Sequence, residues 1–246
     1  MDESKIIYED DNVLVIDKPA GLSVHGNGAN PEGTLVEWFL SHSPEAKGVG
    51  EPKLNKSGEE IERSGIVHRL DQATSGVMVL AKNQDTFAFL KEQFLHREVR
   101  KEYLALVYGH MKEEWGSIDR EIGRSSSDWR LRSAERGARG YLRQAKTDWE
   151  LISQGEHEGE KFAHLRLKPL TGRMHQLRVH LKAIDHPIVG DELYAGKRLE
   201  QSSNLLLNRL ALHSHTLSLR LPGAEEASKW EAKWPPNLAE ATALIA

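Results

Sequence analysis

The chain of 246 residues contains no cysteine. This excludes disulfide bonds, thiolate-bound metals and cysteine nucleophiles together. Long apolar runs are missing too, and none approaches the roughly eighteen residues that a membrane-spanning helix needs. The start, Met1 to Lys5, is acidic and leads into only a short apolar run, whereas a signal peptide begins basic and has a longer apolar core. We therefore expect no signal peptide, no membrane partner and a cytoplasmic location.

Several motifs that would indicate a cofactor or a hydrolase are also missing. Gly26 and Gly28 are not followed by the third glycine and the helix that a dinucleotide-binding site needs. The Gly-x-Ser-x-Gly motif that carries the nucleophile of α/β-hydrolases is also absent. The spacing of His180 and His186 matches no recognised metal-ligand pattern. We therefore expect neither a metal nor a cofactor. A hydrolase with a histidine-bound metal ranks third among the functional hypotheses, behind the two given below.

The net charge of −4 is mildly unfavourable for a nucleic-acid partner. Acidic residues, however, gather near the ends of the chain, as at Glu9 to Asp11, while basic residues gather in the middle. The segment from Arg120 to Lys146, called the basic strip below, contains six arginines between its ends: Arg124, Arg130, Arg132, Arg136, Arg139 and Arg143. The strip is either a solvated loop or a surface that follows a phosphate backbone.

Many short β-rich runs with a few interspersed helices predict an α+β fold, with a mixed, mainly antiparallel β-sheet core and flanking helices and loops. Thr34 is expected to cap a helix through Leu40, with Glu37 completing a capping box. Polar residues from 42 to 64 predict a surface loop. Strands are expected at 6–8, 13–16, 66–71, 76–80, 103–108, 147–152, 162–167 and within 205–221, and further helices at 85–96, 173–184 and 238–244.

Asp71 is the first candidate for chemistry, because it follows an apolar run and lies in a polar loop with Thr74, Ser75 and Gly76. A carboxylate at such a junction can act as a nucleophile or a base. A turn-capping aspartate is the alternative, and the local segment favours it. Arg69 is expected on the same face as Asp71 if the strand continues.

Tyr103 and Arg173 are candidates in other segments. Tyr103 follows two cations and opens an apolar strand, so it is either an ordinary sheet tyrosine or a ring that stacks on an extruded base. Arg173 is predicted at a helix start, where a guanidinium gains nothing from the helix dipole. A specific carboxylate partner is therefore expected. His175 and Arg178, three residues apart, are expected on one helical face.

Several segments, spread over residues 6 to 221, also resemble the motifs of a known protein family. The segments are Asp17 to His25, His68 to Asp71 with Thr74 to Gly76 and Ala81 to Lys82, Arg100 to Tyr103, Leu167 to His180, His186 to Asp191, and Arg209 to His213. In this order they resemble the motifs of the RluA-type family of RNA pseudouridine synthases. The resemblance implies an isomerase that converts uridine in rRNA or tRNA to pseudouridine, without cofactor or metal.

The resemblance also implies roles for individual residues. Asp71 would be the catalytic carboxylate, Tyr103 would stack on the uracil, and Arg173 would pair with Asp71 and keep it ionised. Arg69 would occupy or contact the space left by the extruded nucleotide. The other candidate substrate-binding residues are His68, Thr74, His175, Arg178 and Leu212, of which Leu212 would be an apolar wall.

Many members of the family carry a small N-terminal RNA-binding module, for which we expect no room before Ile6. We therefore expect one catalytic domain over 1–246, with a family-like core at 6–221 and an extension at 222–246. Structured RNA is the expected partner, selected by the basic strip, and a monomer the expected state. The alternative is a non-catalytic RNA-binding protein on the same scaffold, which would not need Asp71, Tyr103 and Arg173 together.

Overall fold

The structure, a computed structural model, describes residues 5–26, 33–51, 53–54, 58, 60–128 and 131–245. The chain forms two compact units. The first unit consists of Met1–Arg100 and Ser214–Ala232, and the second of Lys101–His213 and Lys233–Ala246. The expected extension at 222–246 thus contributes to both units, and the single catalytic domain over 1–246 stays a prediction.

Helices and strands follow one another along the chain without a regular strand–helix–strand repeat, which is typical of an α+β fold. In chain order they are β1 (Ile6–Glu9), β2 (Val13–Lys18), α1 (Leu35–His42), a 3₁₀ helix (Pro44–Ala46), β3 (Lys53–Leu54), β4 (Glu60–Ile61), β5 (Ser75–Ala81), α2 (Gln84–Leu95), β6 (Arg100–Tyr108), β7 (Trp115–Asp119), β8 (Ile122–Arg124), β9 (Arg132–Ser133), β10 (Arg139–Arg143), β11 (Lys146–His157), β12 (Glu160–Pro169), α3 (Gln176–Lys182), a second 3₁₀ helix (Gly196–Leu205), β13 (Leu212–Arg220), β14 (Ala227–Glu231) and α4 (Pro236–Leu244).

In the first unit the strands lie in the order β1-β2-β5-β13, and β14 pairs with β13. The pairs β1–β2, β2–β5 and β13–β14 are antiparallel. Every residue of β5 is buried, which explains why Ser75–Ala81 reads as an apolar run and not as an alternating strand. The helix α2 packs against β5. The core of the unit therefore centres on β2 and β5.

In the second unit the order is β6-β12-β11-β7, again antiparallel in each pair. A separate three-stranded sheet, β10-β8-β9, is called the small sheet below. Ile122 of β8 and Val179 of α3 share a buried apolar cluster with Ala134, Ala145 and Tyr194. This cluster fixes the small sheet to α3. The predicted α+β fold with a mainly antiparallel sheet is confirmed.

Several local predictions also hold. β1 and β2 form the expected hairpin, and the amide of Glu37 donates to Thr34 Oγ1 at 3.3 Å at the start of α1. The Glu37 carboxylate accepts from the Gly33 amide at 2.6 Å, one residue earlier than in a standard capping box. Among the described residues, no helix is long and apolar enough to cross a membrane.

Three predictions of secondary structure were wrong. The segment 66–71 is not a strand, because Ile66 makes only an isolated bridge with Leu80 after a left-handed turn at Gly65, whose φ is +71°. The helix expected from Arg173 begins at Gln176, since His175 has a left-handed φ of 55° that no helix interior accommodates. In the expected loop 42–64, the described part contains a 3₁₀ helix and the β3–β4 pair.

Candidate active site

The loop that carries Asp71 lies in the first unit and leads directly into β5. The Thr74 amide donates to the Asp71 carbonyl at 3.1 Å and closes a turn, and the side chains of Thr74 and Ser75 are almost completely buried. Gly76 has a φ of 114°, and a Cβ there would lie 2.2 Å from the Ser214 carbonyl oxygen. Only glycine permits this conformation and this approach to β13, so the loop that carries Asp71 is joined rigidly to the sheet.

Lys18 anchors the same loop from the end of β2. Its side chain is completely buried, and its ammonium donates to the carbonyls of Pro19 and Leu22 at 2.8 Å and of Gln72 at 3.2 Å. Gln72 and Gly21 are also paired, through the Gly21 amide (2.8 Å) and the Gln72 side-chain amide (3.0 Å). A buried cation is tolerated only when it is well hydrogen-bonded, and here those bonds hold the residue next to Asp71.

Arg69 lies on the surface beside His25. The Arg69 Nη1 donates to His25 Nε2 at 2.6 Å, and His25 Nδ1 contacts the Gly26 carbonyl at 2.8 Å. This geometry requires a neutral His25 that carries its proton on Nδ1. Arg63 belongs to the same cationic region, because burial and then the charge of Arg69 lower its pKa below the ordinary value. Its Nε is buried and has no hydrogen-bond partner among the described residues.

His68, the residue before Arg69, is half-buried. Its Nε2 accepts from the Val79 amide at 3.1 Å, and its ring stacks on Phe94 at 4.7 Å between centroids. The histidine thus packs the loop against β5 and α2. A contact with substrate stays a prediction for His68, and also for the buried Thr74.

Tyr103 lies in the second unit, half-buried on β6 opposite Leu167 of β12. Lys101 is two residues earlier and therefore projects from the same face of the strand. Burial lowers the pKa of Lys101. A Cβ on Gly172 would lie 3.9 Å from Lys101 Nζ, so this amine reaches the loop before α3. Sequence patterns gave Lys101 no role of its own, and it counted only as one of the two cations before Tyr103.

Arg173 is fixed within that loop by a network around Gln176. The Arg173 amide and the Thr171 hydroxyl both donate to Gln176 Oε1, at 3.0 and 2.7 Å. The Gln176 amide group donates in turn to the Lys146 carbonyl and to Thr147 Oγ1, both at 3.0 Å. The Arg173 guanidinium donates from Nε to the Gln144 carbonyl at 3.2 Å. Sequence reasoning missed Gln176; a polar residue among the apolar positions of an amphipathic helix was the signal that could have found it.

His175 and Arg178 both contact Tyr194. His175 Nδ1 lies 2.7 Å from the Tyr194 hydroxyl, and Arg178 Cζ lies 5.0 Å from the centre of its ring. Arg178 also forms a buried bidentate pair with Asp191, with distances of 2.8 and 2.6 Å. This pair gives Arg178 a structural role, and a contact of either residue with RNA stays a prediction.

The two histidines considered for metal binding have protein partners. His180 contacts Thr147 Oγ1 through Nδ1 and the Arg120 carbonyl through Nε2, both at 3.0 Å. His186 Nδ1 lies 2.9 Å from the Tyr108 carbonyl. In the described part of the chain, no group of three or more histidine or acidic residues is arranged to hold a metal ion.

The candidate site residues are thus divided between the two units. Asp71, Arg69, His68 and Thr74 lie in the first. Tyr103, Arg173, His175, Arg178 and the buried Leu212 lie in the second. The predicted ion pair between Arg173 and Asp71 stays a prediction.

The chain as a whole is similar to known proteins. The family described as RNA pseudouridylate synthase matches residues 12–183. The chain is 38% identical to ribosomal large subunit pseudouridine synthase D of Borreliella burgdorferi, over 94% of this chain and 65% of that protein. It is also 38% identical to the dual-specificity RNA pseudouridine synthase RluA of Vibrio parahaemolyticus, over 88% of this chain and 78% of that protein.

Solved structures give the same result for the fold. That of human RNA pseudouridylate synthase domain containing 1 is 28% identical, with a TM-score of 0.73, and the match covers 96% of this chain and 86% of that chain. The chain spans less than two thirds of the length of several curated relatives, for example 65% of the Borreliella protein.

Proposed function

The chain belongs to the RNA pseudouridylate synthase family, and we propose that it isomerises specific uridines of rRNA or tRNA to pseudouridine, with Asp71 as the catalytic carboxylate. The observation that carries this proposal is the rigid mounting of the loop around Asp71 by Lys18 and Gly76. A reacting group must be held in place if it is to lower a barrier. A capping aspartate would not need such a mounting.

The reaction exchanges one glycosidic bond of the target uridine for another. The target uridine is extruded from its stack so that its glycosidic carbon can be reached. The bond between ribose C1′ and uracil N1 breaks with the help of the Asp71 carboxylate. The uracil then turns, C5 bonds to C1′, the C5 proton leaves, and N1 gains a proton. Atoms and electrons balance without an oxidant, a metal or net water.

Two further residues are assigned to this reaction. Tyr103 stacks on the detached uracil, since aromatic rings hold unstacked bases. Arg173 supplies the positive charge that keeps Asp71 ionised. Two contacts support this assignment, because Gln176 Oε1 fixes the backbone amide of Arg173 and the Gln144 carbonyl accepts from its guanidinium.

Binding of the RNA backbone near Asp71 is assigned to Arg63 and Arg69. Two guanidinium groups close enough for one to lower the pKa of the other repel each other. A phosphate would offset both charges. His25 would orient Arg69 for this contact through its 2.6 Å hydrogen bond.

The test is release of tritium from RNA labelled at uracil C5. Wild-type protein is expected to release tritium, and Asp71→Asn to abolish release while RNA binding persists. Asp11→Asn, which removes one exposed carboxylate from the β1–β2 turn, serves as the matched control and should keep full activity. Full activity of Asp71→Asn would refute the mechanism. Wild-type protein that binds RNA but modifies no uridine in any cellular RNA would establish the non-catalytic alternative.

Location and oligomeric state are separate parts of the proposal. We propose a cytoplasmic monomer. Light scattering on the eluting protein, with and without RNA, and fractionation of cells would test the two statements.

A further inference from the structure

The small sheet carries an arrangement of arginines that its own fold does not need. In the registers of its strands, Arg124 of β8 lies directly opposite Arg139 of β10 on one side and Arg132 of β9 on the other. Residues directly opposite on antiparallel strands have Cβ atoms roughly 5 Å apart and project from the same face. The three guanidinium groups therefore form a row across the three strands, called the arginine row below.

Like charges placed directly opposite destabilise a sheet. Among the residues that the structure describes, no carboxylate lies within salt-bridge distance of the arginine row. Glu135, one of the few acids of the basic strip, is instead paired with Lys182 at 3.0 Å. The repulsion within the row is thus not relieved by described residues, and a polyanion outside the chain would relieve it.

An exposed aromatic ring accompanies the row. The register of β10 against β8 shifts between Arg139 and Arg143, and Gly140 within the shift has a left-handed φ of 76°. Such bulges re-aim side chains. Leu142 folds back over Gly123, where a Cβ would lie 2.6 Å from Leu142 Cδ2, while Tyr141 is 85% exposed. A large exposed ring, two residues from Arg139 and two from Arg143 in the sequence, is a suitable platform for a base.

We propose that the small sheet is an RNA-docking surface in which the arginine row binds consecutive phosphates and Tyr141 stacks on an unpaired base. Charge complementarity selects a polyanion, and the exposed ring selects one whose bases can be unstacked, which is RNA with unpaired segments. Backbone contacts give affinity and register without reading sequence. This proposal rests on the proposed function for its biological substrate, but the binding itself does not require catalysis.

The first experiment measures binding of unfractionated tRNA by the whole protein at several salt concentrations. Each phosphate contact contributes about 0.7 to 0.9 to the slope of log affinity against log salt concentration. The triple variant R124Q/R132Q/R139Q is expected to bind about tenfold or more weakly and to lose about 2 to 3 units of that slope. The control K47Q/K112Q/K233Q removes the same charge from exposed lysines and should change both values much less.

The second experiment measures binding of a short oligouridylate. Tyr141→Ala is expected to weaken binding about tenfold with an unchanged salt slope, and Tyr141→Phe to bind normally, because stacking needs the ring and not the hydroxyl. Thermal unfolding of each variant shows whether it is folded, and the triple arginine variant should be as stable as wild type or more so, since repulsion is removed.

Two outcomes would overturn the proposal. One is wild-type affinity and salt slope in the triple arginine variant, and the other is equal weakening by the lysine control, which would show a general effect of net charge. Tritium release separates this proposal from the proposed function. RNA docking on the row without any release would refute catalysis alone, whereas normal release and normal binding in the triple variant would refute docking on the row alone.

Discussion

The loop around Asp71 and the small sheet are constructed in opposite ways. The loop is anchored by a completely buried ammonium, by a glycine that no other residue can replace, and by the buried Thr74 and Ser75. The small sheet exposes every residue of β10 and presents cations that repel one another. Buried polar contacts restrict motion, whereas exposed charges attract a partner over a distance. The difference suits the proposed roles, chemistry at the loop and capture of RNA at the sheet.

The largest effect is expected from a methyl group at Gly76. Gly76→Ala would place a Cβ 2.2 Å from the Ser214 carbonyl oxygen in a backbone conformation of positive φ. We expect a loss of more than about 3 kcal/mol in the free energy of unfolding, together with loss of activity. Chemical denaturation measures the first and tritium release the second.

Gly137→Ala is the matched control, because Gly137, beside the small sheet, has a φ of +98° and nothing within 4 Å of a Cβ. It should lose only about 1 kcal/mol. Equal losses in the free energy of unfolding for Gly76→Ala and Gly137→Ala would show that the close contact with Ser214 adds nothing to the cost of positive φ.

A smaller effect is expected from Lys18→Met, which keeps the aliphatic volume but removes the donor to three carbonyls. The Gln72 carbonyl keeps the Gly21 amide as a donor, so the carbonyls of Pro19 and Leu22 are the ones that lose their partner. At about 1 kcal/mol each, we expect a loss of roughly 2 kcal/mol in the free energy of unfolding. Under conditions where the variant is folded, turnover should fall while tRNA affinity stays unchanged. Lys47→Met, at an exposed lysine, should change stability by less than about 0.5 kcal/mol. A folded Lys18→Met protein with normal turnover would show that the loop needs no anchor.

The smallest effect is expected at His180 of α3, which contacts the carbonyl of Arg120 just before β8 of the small sheet. Burial, as the main cause, lowers the pKa of His180 below its ordinary value. The unfolded chain therefore takes up this proton first as pH falls below about 6.5. The contribution of His180 to stability is present above that pH and is lost on acidification.

His180→Gln should flatten this part of the stability profile between pH 8 and pH 5, measured by denaturant unfolding at each pH and compared with wild type. If the free energy of unfolding changed with pH equally in the two proteins, His180 would not be the cause of the change.

Local sequence patterns were sufficient for most elements of the fold. The β1–β2 hairpin, the Thr34 cap, α2 and the strands β5, β6, β11 and β12 follow from short apolar or alternating runs, helical spacing and capping residues, all of which act within a few positions. The failures at 66–71 and before α3 have one cause. Left-handed conformations at Gly65 and His175 interrupt patterns that read as regular, and such conformations are imposed by packing from distant residues.

The sequence by itself determined the family, through motifs distributed along the chain, and it identified Asp71, Tyr103 and Arg173 as candidates. Only the tertiary structure decided what holds them: Lys18 for the Asp71 loop and Gln176 for Arg173. It also decided that scattered arginines of the basic strip stand in one row. The physical reason is that hydrogen bonds and strand registers join residues far apart in the chain, and no local pattern records which distant partner a buried amine or a strand residue will meet.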